Sequence, residues 1–511
     1  MSSARNKRRL AQKNKKSQAV DPVIEKLVFA RQQYAMGHLY EAEHICKAIL
    51  AQNPNHLQTL NLLGQLAMQV GQLNVAIDIY RRAIKADPTN ANSYHCLGLV
   101  LQRAGDPQES ETMLREADKL DKNNPAILNT LGLTISHQGR FDEALQFFRQ
   151  AININLNYIP AYYSLSTSKK FTTEDNDLKL LERQYNCRHE FVDNNISILC
   201  FSMGKAYDDL ARYDVAFEAF DEGNRLVRKQ RHFDIRDFER NYEKLENYFA
   251  KNNSDKLTGS GYSQEAPIFV LGMPRSGTTL VENILCNHSR VSSIGESTLL
   301  RETLDQLPQI LGSENTNDAQ DIYELLDCIT ENALQKAGKY YVENMKRGLS
   351  EGKACIVDKT PLNFLMIGLI LQMLPNAIII HCVRNPMDIC LSIFQQYFTD
   401  GHDYAYSLTD IAHFYNLYQR YMKLWHNKFP SKIVEINYES LVTDTENEIR
   451  HLLASCHLFW EEPCLTRENT DKSSNTASKL QVRQPIYKSS VDRWRRYEKH
   501  LIPFNLILTQ R

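Results

Sequence analysis

At 511 residues the chain is too long for one ordinary domain, which predicts two or three domains. Hydrophobic residues make up 42% of the sequence and charged residues 24%, the balance of a soluble globular protein. Lys and Arg total 60 and Asp and Glu total 61, so a formal net charge of −1 gives no support for nucleic-acid or membrane binding. The 11 cysteines are scattered without a C-x-x-C pair, so neither a zinc ribbon nor a disulfide scaffold is expected.

The N-terminal segment is the one anomaly of charge. Residues 4–16 carry seven basic residues and no acidic residue. Such a segment either contacts an anionic surface or polymer or is a solvated, disordered tail, and we assign residues 1–20 to the second case. The sequence shows no apolar leader and no apolar run long enough to span a membrane, which predicts a cytoplasmic protein.

A 34-residue repeat runs through the first half of the chain. Its small residues recur in three series, at Gly37, Gly71, Gly105 and Gly139, at Gly64, Gly98 and Gly132, and at Ala42, Ala76, Ser110 and Ala144. The apolar spacing within each unit is helical, so each unit is predicted to be two helices joined by a tight turn at a glycine. A fifth unit lies out of step after residues 171–180, since Gly204 and Ala216 keep the same 12-residue offset.

These features resemble the tetratricopeptide family, whose period is 34 residues. The resemblance implies that residues 21–247 form a superhelix with a concave groove. That groove either docks a partner or substrate, or the repeats are a spacer that stabilises the second half of the chain.

The sequence pattern changes after a polar segment. Residues 248–265 include a Gly- and Ser-rich stretch and are predicted to be a linker. Beyond it, short apolar runs at 268–271, 354–357, 377–383 and 433–436 alternate with helix-length amphipathic segments. This alternation predicts a doubly wound α/β domain with a parallel sheet over residues 266–511.

The first of those runs leads into a glycine-rich loop, GMPRSGTT at 272–279, and then into a helix start. A strand, a glycine loop and a helix N-terminus together form the geometry that cradles a phosphate group. Thr278 stands where a nucleotide triphosphatase has lysine, and Arg275 supplies a positive charge inside the loop instead. The loop therefore favours a phosphate-like group and makes a nucleotide kinase a distant alternative.

A second cluster follows the run at 377–383. Arg384 ends this strand, and Ser392 lies eight residues later on the next helix. An arginine at a strand end and a hydroxyl on the following helix can bind one phosphate from two sides. Taken alone, the pattern is better explained by an ordinary ion-pairing arginine and a helix serine.

Together the two clusters resemble the sulfotransferase family, which uses 3′-phosphoadenosine 5′-phosphosulfate (PAPS) as sulfuryl donor. The resemblance covers about residues 266–500 and implies that Arg384 and Ser392 bind the 3′-phosphate of PAPS. The residues implied to bind its 5′-phosphosulfate are Pro274, Arg275, Ser276, Gly277, Thr278 and Thr279. Within the family the chain looks most similar to tyrosylprotein sulfotransferases and to bacterial proteins that join tetratricopeptide repeats to a sulfotransferase domain.

The same resemblance implies roles for residues outside the two clusters. Glu296 is implied as the catalytic base that removes the acceptor proton. The residues implied to stabilise charge on the transferring sulfuryl group are Arg275, Lys359 and Ser478. Tyr438 is implied to contact the donor nucleotide, and Lys488 to close the 3′-phosphate site.

Other candidate groups are weaker. His288 and His381 could replace Glu296 as base, but structural roles are expected for both. No set of His, Cys and Asp residues has metal-ligand spacing, so no metal is expected. The basic and aromatic residues at 481–487 and 493–497 form either a flap over the nucleotide or an amphipathic helix packed on the sheet.

The sequence thus predicts an N-terminal all-α tetratricopeptide superhelix followed by an α/β sulfotransferase domain. The leading function is PAPS-dependent transfer to an acceptor hydroxyl on a protein, peptide or glycan docked by the repeats, with peptide tyrosine slightly favoured. The alternative is an interaction scaffold whose sulfotransferase-like domain binds nucleotide but is inactive. A bacterial protein without a nucleic-acid partner is expected, and its oligomeric state, a homodimer included, stays open.

Overall fold

The structure is a computed structural model that describes residues 22–251, 259–311, 322–347, 353–399, 401–466 and 488–509. The predicted basic tail at 1–20 lies outside these residues. The chain divides into two compact units, Met1–Ala161 and Tyr162–Arg511. Within the described ranges, every helix is too short or too polar to cross a lipid bilayer.

Helical hairpins make up the first unit, as the 34-residue period predicts. Its helices are α1 (Pro22–Ala35), α2 (Leu39–Gln52), α3 (Leu57–Gln69), α4 (Leu73–Ala86), α5 (Ala91–Arg103), α6 (Pro107–Leu120), α7 (Pro125–His137) and α8 (Phe141–Ile154). The glycines that end the first helix of each hairpin, Gly37, Gly71, Gly105 and Gly139, have φ angles of 81°, 80°, 84° and 87°. Only a residue without a Cβ atom adopts this left-handed conformation readily, so the first glycine series forms the turns.

The second glycine series serves the contact between the two helices of a hairpin. A Cβ atom added at Gly64 would lie 2.5 Å from the ring of Tyr80, and one added at Gly132 would lie 2.5 Å from the ring of Phe148. In each case the large residue follows the glycine by 16 positions and is wholly buried. Each repeat therefore places a glycine against a large side chain of the second helix, which lets the two helices of the hairpin approach closely.

Gly132→Ala is expected to destabilise the chain although alanine is the better helix former. Helix propensity alone would raise the free energy of unfolding by about 1 kcal/mol. The new methyl group overlaps the buried ring of Phe148, and overpacking of this kind costs about 1–3 kcal/mol. Urea denaturation of the variant measures the balance, with Gly98→Ala, which overlaps Leu114, as a parallel variant. A more stable Gly132→Ala protein would show that the contact is loose.

The second unit begins with helices. These are α9 (Ile159–Ser166), which starts in the first unit, α10 (Asn176–Asn186), α11 (Asp193–Asp209), α12 (Tyr213–Gln230) and α13 (Ile235–Ala250). Helices α11 and α12 are the fifth repeat hairpin, because a Cβ atom at Gly204 would lie 2.8 Å from the ring of Phe220. Ala211 takes the turn position of this hairpin with a φ angle of 58°.

In the described part of the chain, five parallel strands follow, in the order β2-β3-β1-β4-β5. The strands are β1 (Ile268–Gly272), β2 (Val291–Ser293), β3 (Cys355–Asp358), β4 (Ile378–Val383) and β5 (Ile433–Asn437). The helices between and after them are α14 (Thr278–Cys286), α15 (Leu299–Asp305), α16 (Leu307–Leu311), α17 (Glu331–Lys346), α18 (Ile367–Met373), α19 (Pro386–Phe394), α20 (Leu408–Lys428), α21 (Tyr438–Thr443), α22 (Thr445–Ser455), α23 (Pro463–Thr466) and α24 (Ile502–Thr509). The predicted parallel α/β fold is confirmed.

The short strand β2 is absent from the sequence prediction, because three residues are too few to show a period. Its register is set by β3, with Val291 opposite Cys355 and Ser293 opposite Val357. Strand β1 lies at the centre, between β3 and β4, so the chain order reverses on either side of it. Ligands of open α/β sheets bind at this kind of reversal, outside the carboxyl ends of the strands.

The last repeat hairpin and the sheet lie in the same unit, which differs from the predicted division at residues 248–265. The amide of Asn224 on α12 donates to the carbonyl of Phe394, the last residue of α19, at 2.9 Å. The ring of Phe249 on α13 lies 5.1 Å from that of Trp425 on α20. A polar stretch such as 251–265 suggests a boundary by composition, but the apolar faces on both sides of it bury each other.

The described part of that polar stretch also packs against the sheet unit. The backbone N–H of Tyr262 donates to the carbonyl of Met373 at 2.8 Å, and the Asn376 amide donates to the carbonyl of Ser263 at 2.6 Å. Residues 259–265 are therefore held by the end of α18 and the loop after it. Polarity here reflects exposure at the surface of one unit.

Candidate active site

The candidate site lies at the carboxyl edge of the sheet. Four strands end there in residues that the sequence singles out, with β1 leading into the loop at 273–277, β3 into Lys359, β4 into Arg384 and β5 into Tyr438. Parallel strands place all four ends at the same edge of the sheet. The fold therefore gathers residues that are far apart in the sequence.

The glycine-rich loop turns sharply before α14. Arg275 has a φ angle of 70° and Gly277 one of 105°, so two residues of this loop have a left-handed backbone conformation. For arginine this conformation costs free energy, and such strain is typical of functional loops. A Cβ atom at Gly277 would lie 2.8 Å from the ring of Tyr438, the residue after β5. The glycine therefore allows this ring to pack directly against the loop. Pro274, Ser276, Thr278 and Thr279 are buried around the turn.

Arg275, Arg384 and Ser392 are joined in one network. The Nε atom of Arg275 donates to the hydroxyl of Ser392 at 2.9 Å, and Nη1 of Arg384 donates to the carbonyl of Arg275 at 3.0 Å. The guanidinium of Arg384 also lies 4.4 Å from the ring centre of Tyr438. The eight-residue spacing of Arg384 and Ser392 therefore does bring their side chains to a common third residue, Arg275.

Lys359 and Glu296 form the second set of groups at the sheet edge. Nζ of Lys359 donates to Oε1 of Glu296 at 2.5 Å and lies 3.6 Å from Oε2 of Glu282. The Lys359 side chain is 0% exposed, whereas that of Glu296 is 51% exposed. Burial lowers the pKa of the Lys359 ammonium, but Glu282 and Glu296 outweigh this effect and hold the pKa above its ordinary value. The ammonium stays charged, with one carboxylate partner open to solvent.

Glu282 is a residue of this set that the sequence analysis missed. It lies on α14, five residues after Gly277, and the hydroxyl of Ser293 donates to its Oε1 at 2.5 Å. An acid on an apolar helix directly after the glycine loop was the available signal. Its partner could not be inferred, because Lys359 follows β3, far along the chain from α14.

The loops that carry Glu296 and Lys359 are fastened together. The backbone N–H of Lys359 donates to the carbonyl of Gly295 at 3.0 Å, and that of Ser297 donates to Oγ1 of Thr360 at 3.1 Å. Beside them, burial raises the pKa of Asp358 to about 6, although the hydroxyls of Tyr341 and Thr360 donate to its carboxylate. These contacts fix the Lys359–Glu296 pair relative to β3.

The two candidate histidines are engaged inside the domain. His288 is 1% exposed, with Nε2 at 3.1 Å from the carbonyl of Phe459. His381 is 3% exposed, with Nδ1 at 3.2 Å from Oε1 of Glu435 and Nε2 at 2.5 Å from the Tyr418 hydroxyl. Burial lowers the pKa of His381, so its ring is neutral at pH 7. Both placements agree with the expected structural roles.

The C-terminal candidates are only partly described. Ser478 and the segment 481–487 lie outside the described residues. Lys488 is exposed and lies two residues before Ser490, whose carbonyl accepts from Nη2 of Arg384 at 2.6 Å. Trp494 is half-buried against the core of the second unit within a short 3₁₀ helix, Arg493–His500.

The loop and network suit an anionic ligand. Among the described residues, the Ser276 hydroxyl and Nε of Arg384 are buried without a hydrogen-bond partner. Burying an unpaired donor costs free energy, so such donors at one edge favour a ligand that accepts from them. The residues present therefore fit a phosphate-bearing nucleotide at the start of α14.

The fold and the site define a class, a doubly wound α/β domain with a glycine-rich loop before its first helix, preceded by helical hairpin repeats. Residues 267–462 match the sulfotransferase family. Residues 64–105 and 89–157 match tetratricopeptide repeats. The chain therefore carries a sulfotransferase-family domain preceded by tetratricopeptide repeats, as its motifs predict.

Two curated relatives match parts of the chain. An uncharacterized protein of Aquifex aeolicus is 39% identical over 316 residues, which are 61% of this chain and 41% of that protein. A protein-tyrosine sulfotransferase of Drosophila melanogaster is 23% identical over 272 residues, which are 49% of this chain and 51% of that protein. The matches thus span 41% and 51% of the two relatives' lengths.

Solved structures of helical repeat proteins also match. A MamA protein is 21% identical and covers 41% of this chain and 93% of its own, with a TM-score of 0.26. PilW, a type IV pilus biogenesis factor, is 17% identical and covers 40% of this chain and 92% of its own, with a TM-score of 0.34.

Proposed function

We propose that the protein transfers a sulfuryl group from PAPS to an acceptor hydroxyl. One observation carries this proposal. The carboxyl edge of the sheet holds an arginine–serine network beside a glycine loop and, on the neighbouring strand end, a buried lysine paired with an exposed glutamate. The first set suits a nucleotide with two phosphate-like groups, and the second suits removal of one proton next to a developing negative charge.

The donor would be held by the loop and the network. Backbone N–H groups at the start of α14, together with Ser276 and Arg275, would bind the 5′-phosphosulfate. Arg384 and Ser392 would bind the 3′-phosphate, and the ring of Tyr438 would lie beside the nucleotide. When bound, PAPS supplies the sulfuryl group and leaves as adenosine 3′,5′-bisphosphate. No metal is needed for this transfer.

The acceptor proton would go to Glu296. Its side chain is half exposed, so an acceptor hydroxyl can reach it from solvent, while Lys359 holds one carboxylate oxygen from the buried side. The carboxylate is thus oriented without being enclosed. Lys359 keeps its own charge and faces the place where charge develops during transfer, as Arg275 does from the loop.

The repeats would dock the acceptor, and a tyrosine side chain of a protein or peptide is the acceptor that we favour. Support comes from the partial match to a protein-tyrosine sulfotransferase. Further support comes from the fifth hairpin, whose helix α12 contacts α19 next to Ser392. A glycan acceptor uses the same transfer chemistry and is an outcome of the test.

Purified full-length protein with radiosulfur-labelled PAPS tests this function. We expect label in a tyrosine-containing peptide and none in a matched peptide with phenylalanine. Ser392→Ala removes one charge-assisted hydrogen bond of about 1.5 kcal/mol, so donor affinity is expected to fall roughly tenfold. Label in polysaccharide alone would contradict the peptide acceptor. Tight PAPS binding without transfer to any fraction would favour the inactive scaffold.

A further inference from the structure

Two histidines and a glutamate form a cluster that the proposed transfer does not use. His381 lies in β4, and Glu435 lies opposite it in the neighbouring strand β5. His426 lies in the last turn of α20. The chain separates them by 45 and 9 residues, so no sequence spacing indicates a shared site. Only the pairing of β4 with β5 and the packing of α20 bring them together.

The three side chains have the separations of metal ligands. Nδ1 of His381 is 3.2 Å and Nε2 of His426 is 3.1 Å from Oε1 of Glu435. One ligand atom from each residue lies within 4.8 Å of the other two. Tetrahedral zinc with ligand distances of about 2.0–2.1 Å has ligand atoms about 3.3 Å apart. A small relaxation of the side chains would therefore place all three around one ion.

The orientation of His381 also suits a ligand. Its Nε2 atom is 2.5 Å from the hydroxyl of Tyr418, which leaves Nδ1 directed at Glu435 and His426. Metal-binding histidines are usually oriented in this way, with the second ring nitrogen bonded to a fixed polar group. His381 is 3% exposed, whereas the side chains of His426 and Glu435 are 39% and 55% exposed. The cluster therefore opens to solvent on one side, where an ion can enter.

We propose that His381, His426 and Glu435 bind a divalent transition-metal ion of the zinc type. Two imidazoles and one carboxylate suit such ions, and a solvent molecule completes the coordination. The ion would join β4, β5 and α20 three residues before Arg384 and three residues before Tyr438. It would thereby hold the two strand ends whose side chains lie 4.4 Å apart in the candidate active site. This role is structural and goes beyond the proposed function.

Zinc binding by the purified full-length protein tests the proposal. Competition with a chromogenic chelator measures affinity for Zn²⁺, and Co²⁺ in its place gives a visible spectrum that reports nitrogen and oxygen ligands. We expect one high-affinity site per chain and a higher Tm with Zn²⁺. Glu435→Gln keeps the shape of the side chain and is expected to lower affinity by about 100-fold, and Tyr418→Phe by about 10-fold to 100-fold.

His451→Gln is the matched control, because His451 is exposed on α22 and is not among the three ligands. It should bind Zn²⁺ as the unaltered chain does. Cysteines such as the exposed Cys328 supply a background that all variants share. His426→Ala changes only a half-exposed ligand and should lose the site while the chain stays folded. Equal Zn²⁺ affinity for the unaltered chain, Glu435→Gln and His426→Ala would overturn the proposal.

Discussion

Lys359→Met is expected to lower kcat by roughly 10²-fold to 10³-fold, the effect of removing one preorganised charge from a transition state. Lys359 is wholly buried and lies 2.5 Å from Glu296 and 3.6 Å from Glu282. Methionine keeps much of the length and volume of the side chain, so the loss is mainly one of charge. Single-turnover kinetics with saturating PAPS measure the chemical step directly.

The same substitution also leaves Glu282 buried without a positive partner. Removing one partner of a buried ion pair costs about 3–5 kcal/mol, so the free energy of unfolding should fall as well. Lys359→Met/Glu282→Gln separates the two effects, because it removes the uncompensated carboxylate. We expect the double variant to recover stability and to stay inactive. Recovery of kcat in the double variant would show that Lys359 only neutralises Glu282.

Glu296→Gln is expected to lower kcat by roughly 10²-fold to 10⁴-fold, the usual contribution of a positioned general base. Glutamine keeps the size of the side chain and an oxygen that can accept from Lys359, so donor binding should persist. Calorimetry with adenosine 3′,5′-bisphosphate checks that binding, and labelled transfer checks turnover. Near-normal turnover with intact donor binding would rule out Glu296 as the base.

Two other glutamates serve as comparisons for Glu296. Glu282→Gln changes a buried carboxylate that contacts Lys359 and Ser293, so its main effect should be on stability and on the orientation of Lys359. Glu302→Gln changes an exposed acid on α15 and should leave kcat unaltered. If Glu282→Gln loses more turnover than Glu296→Gln, the catalytic carboxylate lies on α14 instead.

Much of the candidate site follows from motifs, but its contacts do not. The sequence indicates Arg275, Arg384, Ser392, Lys359 and Glu296 as separate residues in separate segments. It does not indicate that Arg275 donates to Ser392 or that Lys359 faces two carboxylates. Such contacts depend on which strands are neighbours, and strand order is not written in local patterns.

The same limit explains the metal cluster and the boundary between the units. Spacing finds metal ligands that share a helix or a loop, whereas His381, His426 and Glu435 come from three elements. Composition placed a linker at 248–265, but Phe249 within that range belongs to helix α13 and its ring packs against Trp425 of α20. Both the metal cluster and the unit boundary depend on which distant segments pack together.

The near-zero net charge of the chain excluded a bulk electrostatic role and little more. What the sequence by itself determined is local in origin. The 34-residue repeat follows from its glycine turns and from the contact of a glycine with a large side chain 16 residues later. The phosphate-binding geometry is predicted by a glycine-rich loop between a strand and a helix. The tertiary structure alone decided which charges meet. Parallel pairing brought four strand ends to one edge, so that Arg384 contacts Arg275 and Lys359 contacts Glu296 there.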